Sequence, residues 1–303
     1  MIAFSLKTLW KFSRPHTMIG TSLSILALEA IALATNKTSV TPGNLGILLA
    51  TWLICLAGNI YIVGLNQLED IAIDKINKPE LPLASGKLSV LSGHWIVSCC
   101  GAIALVFSAV LSKILLFTVG TSLLIGTLYS LPPWRLKRYP FWAALSIFTV
   151  RGVIINLGIF THFQEKLAGV TTLPPVIWLL TAFVLVFSIA IAIFKDVPDL
   201  DGDQQYQITT LTLILGKKAV FNLSRGVITF SYLMMIIAAF FPLFMVNHLL
   251  LGLIHLVLLS LLWLRSLQVD LNQKQQIRDF YQFIWKLFFL EYLLFPFICI
   301  SIL

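Results

Sequence analysis

Asn66, Asp70 and Asp74 stand four residues apart in Asn66-Gln67-Leu68-Glu69-Asp70-Ile71-Ala72-Ile73-Asp74. A second stretch, Lys195-Asp196-Val197-Pro198-Asp199-Leu200-Asp201-Gly202-Asp203, repeats the spacing with Asp199 and Asp203 and adds Asp196. On an α-helix a four-residue step advances ~6 Å and drifts ~40° around the axis, so Asn66, Asp70 and Asp74 share one face of a single helix. Pro198 breaks a helix through the second stretch, which leaves Asp196 at the end of the preceding segment. Carboxylates crowded in this way repel one another unless something cationic sits between them. Hard divalent ions with oxygen ligands suit the set, and Mg²⁺ keeps several waters while bridging one or two carboxylates to substrate phosphates. Acidic runs are commonly no more than solvated faces. Here six of the eight Asp residues of a very apolar chain fall in these two stretches, which favours function.

The elements that must position them are membrane helices. The 303 residues are 58% hydrophobic and only 11% charged, against about 25% charged in soluble domains. Nine apolar runs have bilayer-spanning length: Met18–Ala34, Leu45–Leu65, Val90–Leu111, Ile114–Leu131, Phe141–Phe160, Leu173–Phe194, Val227–Met245, Leu249–Leu264 and Ile284–Leu303. The short connections at Ser112-Lys113 and at Val246-Asn247-His248 predict antiparallel hairpins. The ~10-residue alternating segments of a β-barrel are absent from the sequence. The expectation is an all-α polytopic fold, one transmembrane domain over residues 1–303, with nine helices around a central cavity. Its motif loops, about 66–89 and 195–218, are long enough for short cap helices.

Lys and Arg set the orientation. With the N-terminus inside, 17 of the 21 fall on the cytoplasmic side and three outside, while Arg151 lies within the fifth run. Both Asp-rich stretches are then cytoplasmic. The net charge of +8 reads as a topology signal rather than a nucleic-acid footprint. No A-x-A cleavage signal or Arg/Ser-rich transit extension is visible, so the first span is expected to be retained, as in a bacterial protein. Cys55, Cys99, Cys100 and Cys299 lie in apolar runs and read as small core residues.

Lys75, Lys78, Lys137, Arg138 and Lys195 flank the acidic stretches, and a carboxylate-held metal with these cations would bind a diphosphate. Most of them, taken singly, are also explained by the positive-inside rule. Arg151 is different, because a charge in mid-span costs at least ~2.5–3.5 kcal/mol and normally faces a cavity or a partner. Asn156 loosely shares its side; Glu29 and Glu291 are the acidic candidates to pair with Arg151, of which Glu29 is expected to reach the outer interface and is assigned no site. His255 reads as a satisfied interhelical histidine. The aromatics (22 Phe, 8 Trp, 7 Tyr) suit lipid-facing belts, yet would equally wall a cavity for an isoprenoid chain and a transient carbocation.

The Asn66–Asp74 and Asp199–Asp203 pair among nine spans resembles the UbiA-type intramembrane prenyltransferases. Phe12-Ser13-Arg14-Pro15-His16-Thr17-Met18-Ile19-Gly20-Thr21 and Gly64-Leu65-Asn66-Gln67 are similar to the homogentisate prenyltransferases within them. So are Ile76-Asn77-Lys78-Pro79, Arg135-Leu136-Lys137-Arg138, Val150-Arg151-Gly152 with Asn156-Leu157-Gly158, and Phe194-Lys195-Asp196-Val197-Pro198-Asp199. Phe280-Tyr281-Gln282-Phe283-Ile284-Trp285-Lys286-Leu287 and Glu291-Tyr292-Leu293-Leu294 resemble the cyanobacterial homogentisate phytyltransferase branch. The likeness covers essentially the whole chain.

The resemblance implies a cavity open sideways to the lipid, with phytyl diphosphate arriving from the bilayer and homogentisate from the cytoplasm. The product would be a tocopherol precursor, with CO₂ and diphosphate released. It places the protein in a cyanobacterial thylakoid or plasma membrane, with the bilayer and its substrates as partners and no obligate protein partner. Asp70, Asp74, Asp199 and Asp203 would hold Mg²⁺ and act catalytically, assisted by Asn66 and Asp196. Asn66, Lys75, Lys137, Arg138 and Lys195 would contact the diphosphate. Arg151, Arg14 and Asn156 would meet the acceptor, with Arg151 favoured for its carboxylate. Chlorophyllide or dihydroxynaphthoate as acceptor, and other chain lengths, stay open. A cation-coupled transporter would instead keep its carboxylates near the midplane on broken helices.

Overall fold

The computed structural model describes residues 5–198, Leu200 and 210–301. Asp199 and Asp203 lie outside the described residues, so the second carboxylate pair has no structural account. Among the described residues there are helices and no strands. Among the described residues nine helices are long and apolar enough to cross a membrane: Pro15–Asn36, Pro42–Glu69, Val90–Leu111, Lys113–Ser130, Phe141–Ala168, Pro175–Phe194, Lys217–Ala238, His248–Ser266 and Lys274–Ile300. We number them as spans one to nine.

Their starts carry local signals. Proline occupies the first turn of spans one, two and six, where its missing N–H costs nothing. The side chains of Thr41, Ser89, Ser112 and Asn247 accept from the backbone N–H of Asn44, Ser92, Leu115 and Leu250, which caps spans two, three, four and eight. Ser112 is the single residue between spans three and four, so the tight hairpin expected there forms. The second expected hairpin also forms, spans seven and eight packing together, but on a longer connection. Span seven starts at Lys217, directly after Gly216 at φ 84°, and ends at Ala238. Pro242 lies beyond it and disfavours helix in the residue before, so nine residues rather than three separate spans seven and eight. Span nine begins at Lys274, ten residues before its apolar run, because its first turns are helix rich in polar side chains (Lys274, Gln275, Gln276, Arg278, Asp279) that hydropathy does not count.

Packing between spans uses polar side chains as well as apolar ones. The Trp52 indole donates to Ser22 Oγ at 2.8 Å, the hydroxyls of Tyr61 and Thr127 meet at 2.8 Å, and Asn59 Nδ2 donates to Thr17 Oγ1 at 2.9 Å. Such bonds contribute on average ~0.6 kcal/mol each in a membrane bundle. Span six is the most enclosed, with 72% of its apolar window buried and Phe183, Phe187 and Phe194 fully so. Spans one, two, four, five, six and nine wall an internal cavity. Spans three, seven and eight pack outside that wall, on spans two, six and seven respectively.

Candidate active site

At one end of the bundle the polar loops enclose a cavity of about 740 Å³. Asn66, Asp70, Asp74, Lys137, Arg138, Lys195, Asp196 and Arg14 all line it. The first acidic stretch is not one helix, contrary to the spacing-based expectation. Span two ends at Glu69, Asp70 leaves helical geometry at φ −113° and ψ 17°, and a short helix resumes over Ile71–Asn77. The break has a cause in the loop after span four. Arg135 Nη2 donates to the terminal carbonyl of Glu69 at 2.8 Å and to Asp70 Oδ1 at 3.2 Å. It thus takes up a helix-end acceptor that has no intrahelical partner. Asp74 N still donates to Asp70 O at 2.7 Å, so the turn persists and both carboxylates stay on the cavity.

Three Asp carboxylates at this rim face cations. Lys137 Nζ lies 2.6 Å from Asp70 Oδ2, Lys195 Nζ lies 2.8 Å from Asp196 Oδ1, and Arg14 Nη2 lies 3.8 Å from Asp74 Oδ2. Burial holds the Lys137 ammonium below the usual lysine range, more than Asp70 beside it restores. At Lys195 burial also pulls downward, but Asp196 and the phenols of Tyr129 and Tyr281 outweigh it and raise the pKa. Arg14 is held in place by its backbone: it sits at φ 51° before Pro15, a left-handed geometry uncommon outside glycine. Phe12, two residues earlier, is fully buried, and its carbonyl accepts from Gln67 Nε2 at 2.6 Å.

Lys75 does not join the site. It directly follows Asp74 in the short helix, ~100° farther around the axis, and is exposed and absent from the cavity wall. Arg135, named in the sequence only within a stretch of the family resemblance and given no site role, stands beside Asp70. The donors facing this cavity are carboxylate and amide oxygens, the chemistry Mg²⁺ takes. No three His, Cys, Asp or Glu among the described residues converge on one point. Oxygens spread along a wall suit an ion that keeps waters and substrate oxygens, rather than an all-protein cage.

Arg14, His16, Asn66, Tyr129, Lys195 and Tyr281 border both this cavity and a second, mostly apolar one of about 320 Å³ deeper in the bundle. Span nine presents Tyr281, Trp285, Phe288 and Tyr292 to it, a helical stripe that settles which of the many aromatics face inward. Arg151 projects from the opposite wall. Its Cζ lies 4.5 Å from the Trp285 ring centroid and 5.4 Å from that of Phe288. Its buried Nη1 finds no hydrogen-bond acceptor among the described residues. Span five is not a continuous α-helix here, because Thr149–Ile154 is a π-helix turn. Such turns re-aim side chains and are frequent at functional sites. Gly152 permits it to pack closely, since a Cβ there would meet the Leu185 backbone at 2.7 Å.

Two expectations for this region are corrected. Glu291 is no partner of Arg151: it accepts from His255, with Nε2 to Oε2 at 3.1 Å, and both are buried. Asn156 does not line either cavity. It is fully buried, with Nδ2 donating to Gly152 O at 2.9 Å and Oδ1 accepting from the Tyr292 hydroxyl at 2.8 Å. It therefore braces the π-turn that carries Arg151 rather than reaching a ligand. Tyr292 and Trp285 were visible only as words of the family resemblance.

The chain matches the UbiA prenyltransferase family over residues 23–287. It is 52% identical to the homogentisate phytyltransferase of Synechocystis sp., over 96% of this chain and 95% of that one. It is 40% identical to the chloroplastic homogentisate solanesyltransferase of Arabidopsis thaliana, over 95% of this chain and 76% of that one. In fold it is similar to a UbiA homolog from Archaeoglobus fulgidus bound to GPP and Mg²⁺, with TM-score 0.65 at 16% identity, covering 97% of this chain and 99% of that one. The chain belongs to the UbiA prenyltransferase family.

Proposed function

We propose that this protein transfers a phytyl group from phytyl diphosphate to the ring of homogentisate, releasing diphosphate and CO₂, as a step of tocopherol synthesis in the membrane. The observation that carries it is 52% identity to a homogentisate phytyltransferase along essentially both full lengths. The geometry supports it: a rim of carboxylates and cations opens directly onto an aromatic-walled apolar cavity into which Arg151 brings a buried Nη1 without a hydrogen-bond acceptor among the described residues. The cyanobacterial relative supports a thylakoid or plasma membrane, and the Lys/Arg distribution supports a cytoplasmic rim.

Asn66, Asp70, Asp74 and Asp196 would help hold the divalent metal, with Asp199 and Asp203 proposed as further ligands. The archaeal neighbour solved with Mg²⁺ supports Mg²⁺ as that ion. When bound, the metal supplies charge neutralisation on the diphosphate oxygens. Lys137, Arg138, Arg135 and Lys195 would contact those oxygens and stabilise the charge that develops as the C–O bond breaks. The allylic cation then lies in a cavity walled by Tyr281, Trp285 and Phe288, whose ring faces attract it and which exclude water that would quench it. Arg151 would grip the carboxylate of homogentisate through two parallel hydrogen bonds. Its place on the aromatic rings of span nine brings the acceptor ring beside the cation.

The test is transfer by membranes containing the protein, with Mg²⁺, labelled phytyl diphosphate, and homogentisate, dihydroxynaphthoate or chlorophyllide as acceptors. Prenylation of homogentisate is the expected result. Prenylation of another acceptor, with none of homogentisate, would overturn the reading.

A further inference from the structure

The apolar cavity has a closed end. Its wall extends along span one to Ile25, along span two to Cys55, along span four to Val119 and along span five to Ile155. One helical turn farther from the acidic rim on each span stand Leu28, Thr51, Leu115 and Ile159, and all four are 0% exposed. Spans one and four each pack on both spans two and five, so these four residues form one layer. The helices are drawn together there: a Cβ on Gly158 would fall on the Thr118 side chain. Under the layer, the imidazole of His162 lies 3.0 Å from Thr51 Oγ1 and 2.8 Å from Ser112 Oγ, and Ser112 Oγ accepts from Leu115 N at 3.0 Å. This buried chain ties spans two, four and five across the bottom of the cavity. Buried polar bonds of this kind resist parting, since each partner left alone is an unsatisfied group in an apolar medium.

We propose that this floor measures the prenyl tail, accepting about four isoprene units and refusing much longer chains. The inference rests on the reading above, in which the diphosphate lies at the acidic rim and the tail in the apolar cavity. From Asn66 at the rim to Cys55 at the floor is ~16 Å at ~1.5 Å per residue, room for about three extended or four bent isoprene units of ~5 Å each. A nine-unit tail would need more than twice that depth and meets the braced layer instead. Specificity of this kind is steric, and a filled apolar pocket discriminates by ~10- to 200-fold per added increment of chain.

Chain-length preference of the full chain in membranes tests this, with C15, C20, C30 and C45 prenyl diphosphates. It is read as transfer to homogentisate and, separately, as binding of each diphosphate without acceptor. The parent protein should favour C20 over C45 by at least about tenfold in both readings. Leu115→Ala, which deepens the floor, should raise the C30-to-C20 ratio. Cys55→Phe, which fills the cavity above the floor, should move the preference to C15. Cys55→Phe decides the matter alone if Leu115→Ala fails to fold. Equal handling of C45 and C20 by the parent, or parental ratios in Cys55→Phe, would overturn the floor and show that the tail leaves sideways between helices. Absence of transfer to homogentisate would instead strike the acceptor assignment, while the binding series would still judge the floor.

Discussion

The two cavities treat charge in opposite ways. At the rim the three described Asp carboxylates face cations of the same chain: Asp70 faces Arg135 and Lys137, Asp74 faces Arg14, and Asp196 faces Lys195. Deeper, Arg151 lies against the rings of Trp285 and Phe288 and has no ion pair with a carboxylate among the described residues, since Glu291 is held by His255. A diphosphate with its metal can enter the rim by exchange, each ion replacing a partner already present. Such exchange leaves the binding energy small and the effect on a developing charge large. The guanidinium is a different case. Its Nη1 has no acceptor among the described residues and is open to one on a ligand, so it bears on which acceptor binds.

Breaking the rim should therefore have the largest effect, and on turnover. Asp70→Asn is expected to lower kcat by about 10²–10³-fold, the scale of losing one preorganised electrostatic group, and EDTA should abolish activity of the parent. Full activity in chelator would remove the metal from the mechanism. Breaking the deeper site should act on the acceptor. Arg151→Gln is expected to raise the homogentisate KM by about 30- to 150-fold, or ~2–3 kcal/mol, with little change for the prenyl diphosphate. Arg151→Lys should restore only part, since a point charge cannot make the bidentate pair. An unchanged homogentisate KM in a folded Arg151→Gln protein would pass the role to Arg14.

A finer cut separates binding from positioning. Tyr292→Phe removes the hydroxyl that holds Asn156 and, through it, the π-turn under Arg151. Losing that bond is expected to cost ~1 kcal/mol, about fivefold in homogentisate KM. In the Arg151→Gln background the same change should add almost nothing, because both act through one guanidinium. Full additivity in that double mutant would detach Tyr292 from Arg151. The smallest effect is expected at Lys75. Lys75→Gln, on the exposed side of the short helix, should leave kcat and KM within about twofold, whereas Lys137→Gln should depress turnover. A large loss in Lys75→Gln would mean that the motif loop closes over the substrate in a geometry other than this one.

The sequence by itself determined the spans and the chemistry of the rim, because both are written in local order. Apolar runs of bilayer length and Asp residues at four-residue spacing need no knowledge of distant parts of the chain. Even there, the helix through Asn66–Asp74 was read as continuous. The residue that ends it, Arg135, lies 66 positions from the Glu69 carbonyl it binds. Only the tertiary structure decided that Lys75 turns away, that Asn156 is occupied by Tyr292, that one stripe of span nine walls the cavity, and that four buried residues close its floor. The physical reason is the solvent. In a bilayer a Phe facing lipid, a Phe in the core and a Phe lining a cavity are equally content, so hydropathy marks a helix as membrane-borne without saying which face looks inward. That choice belongs to packing between helices far apart in sequence.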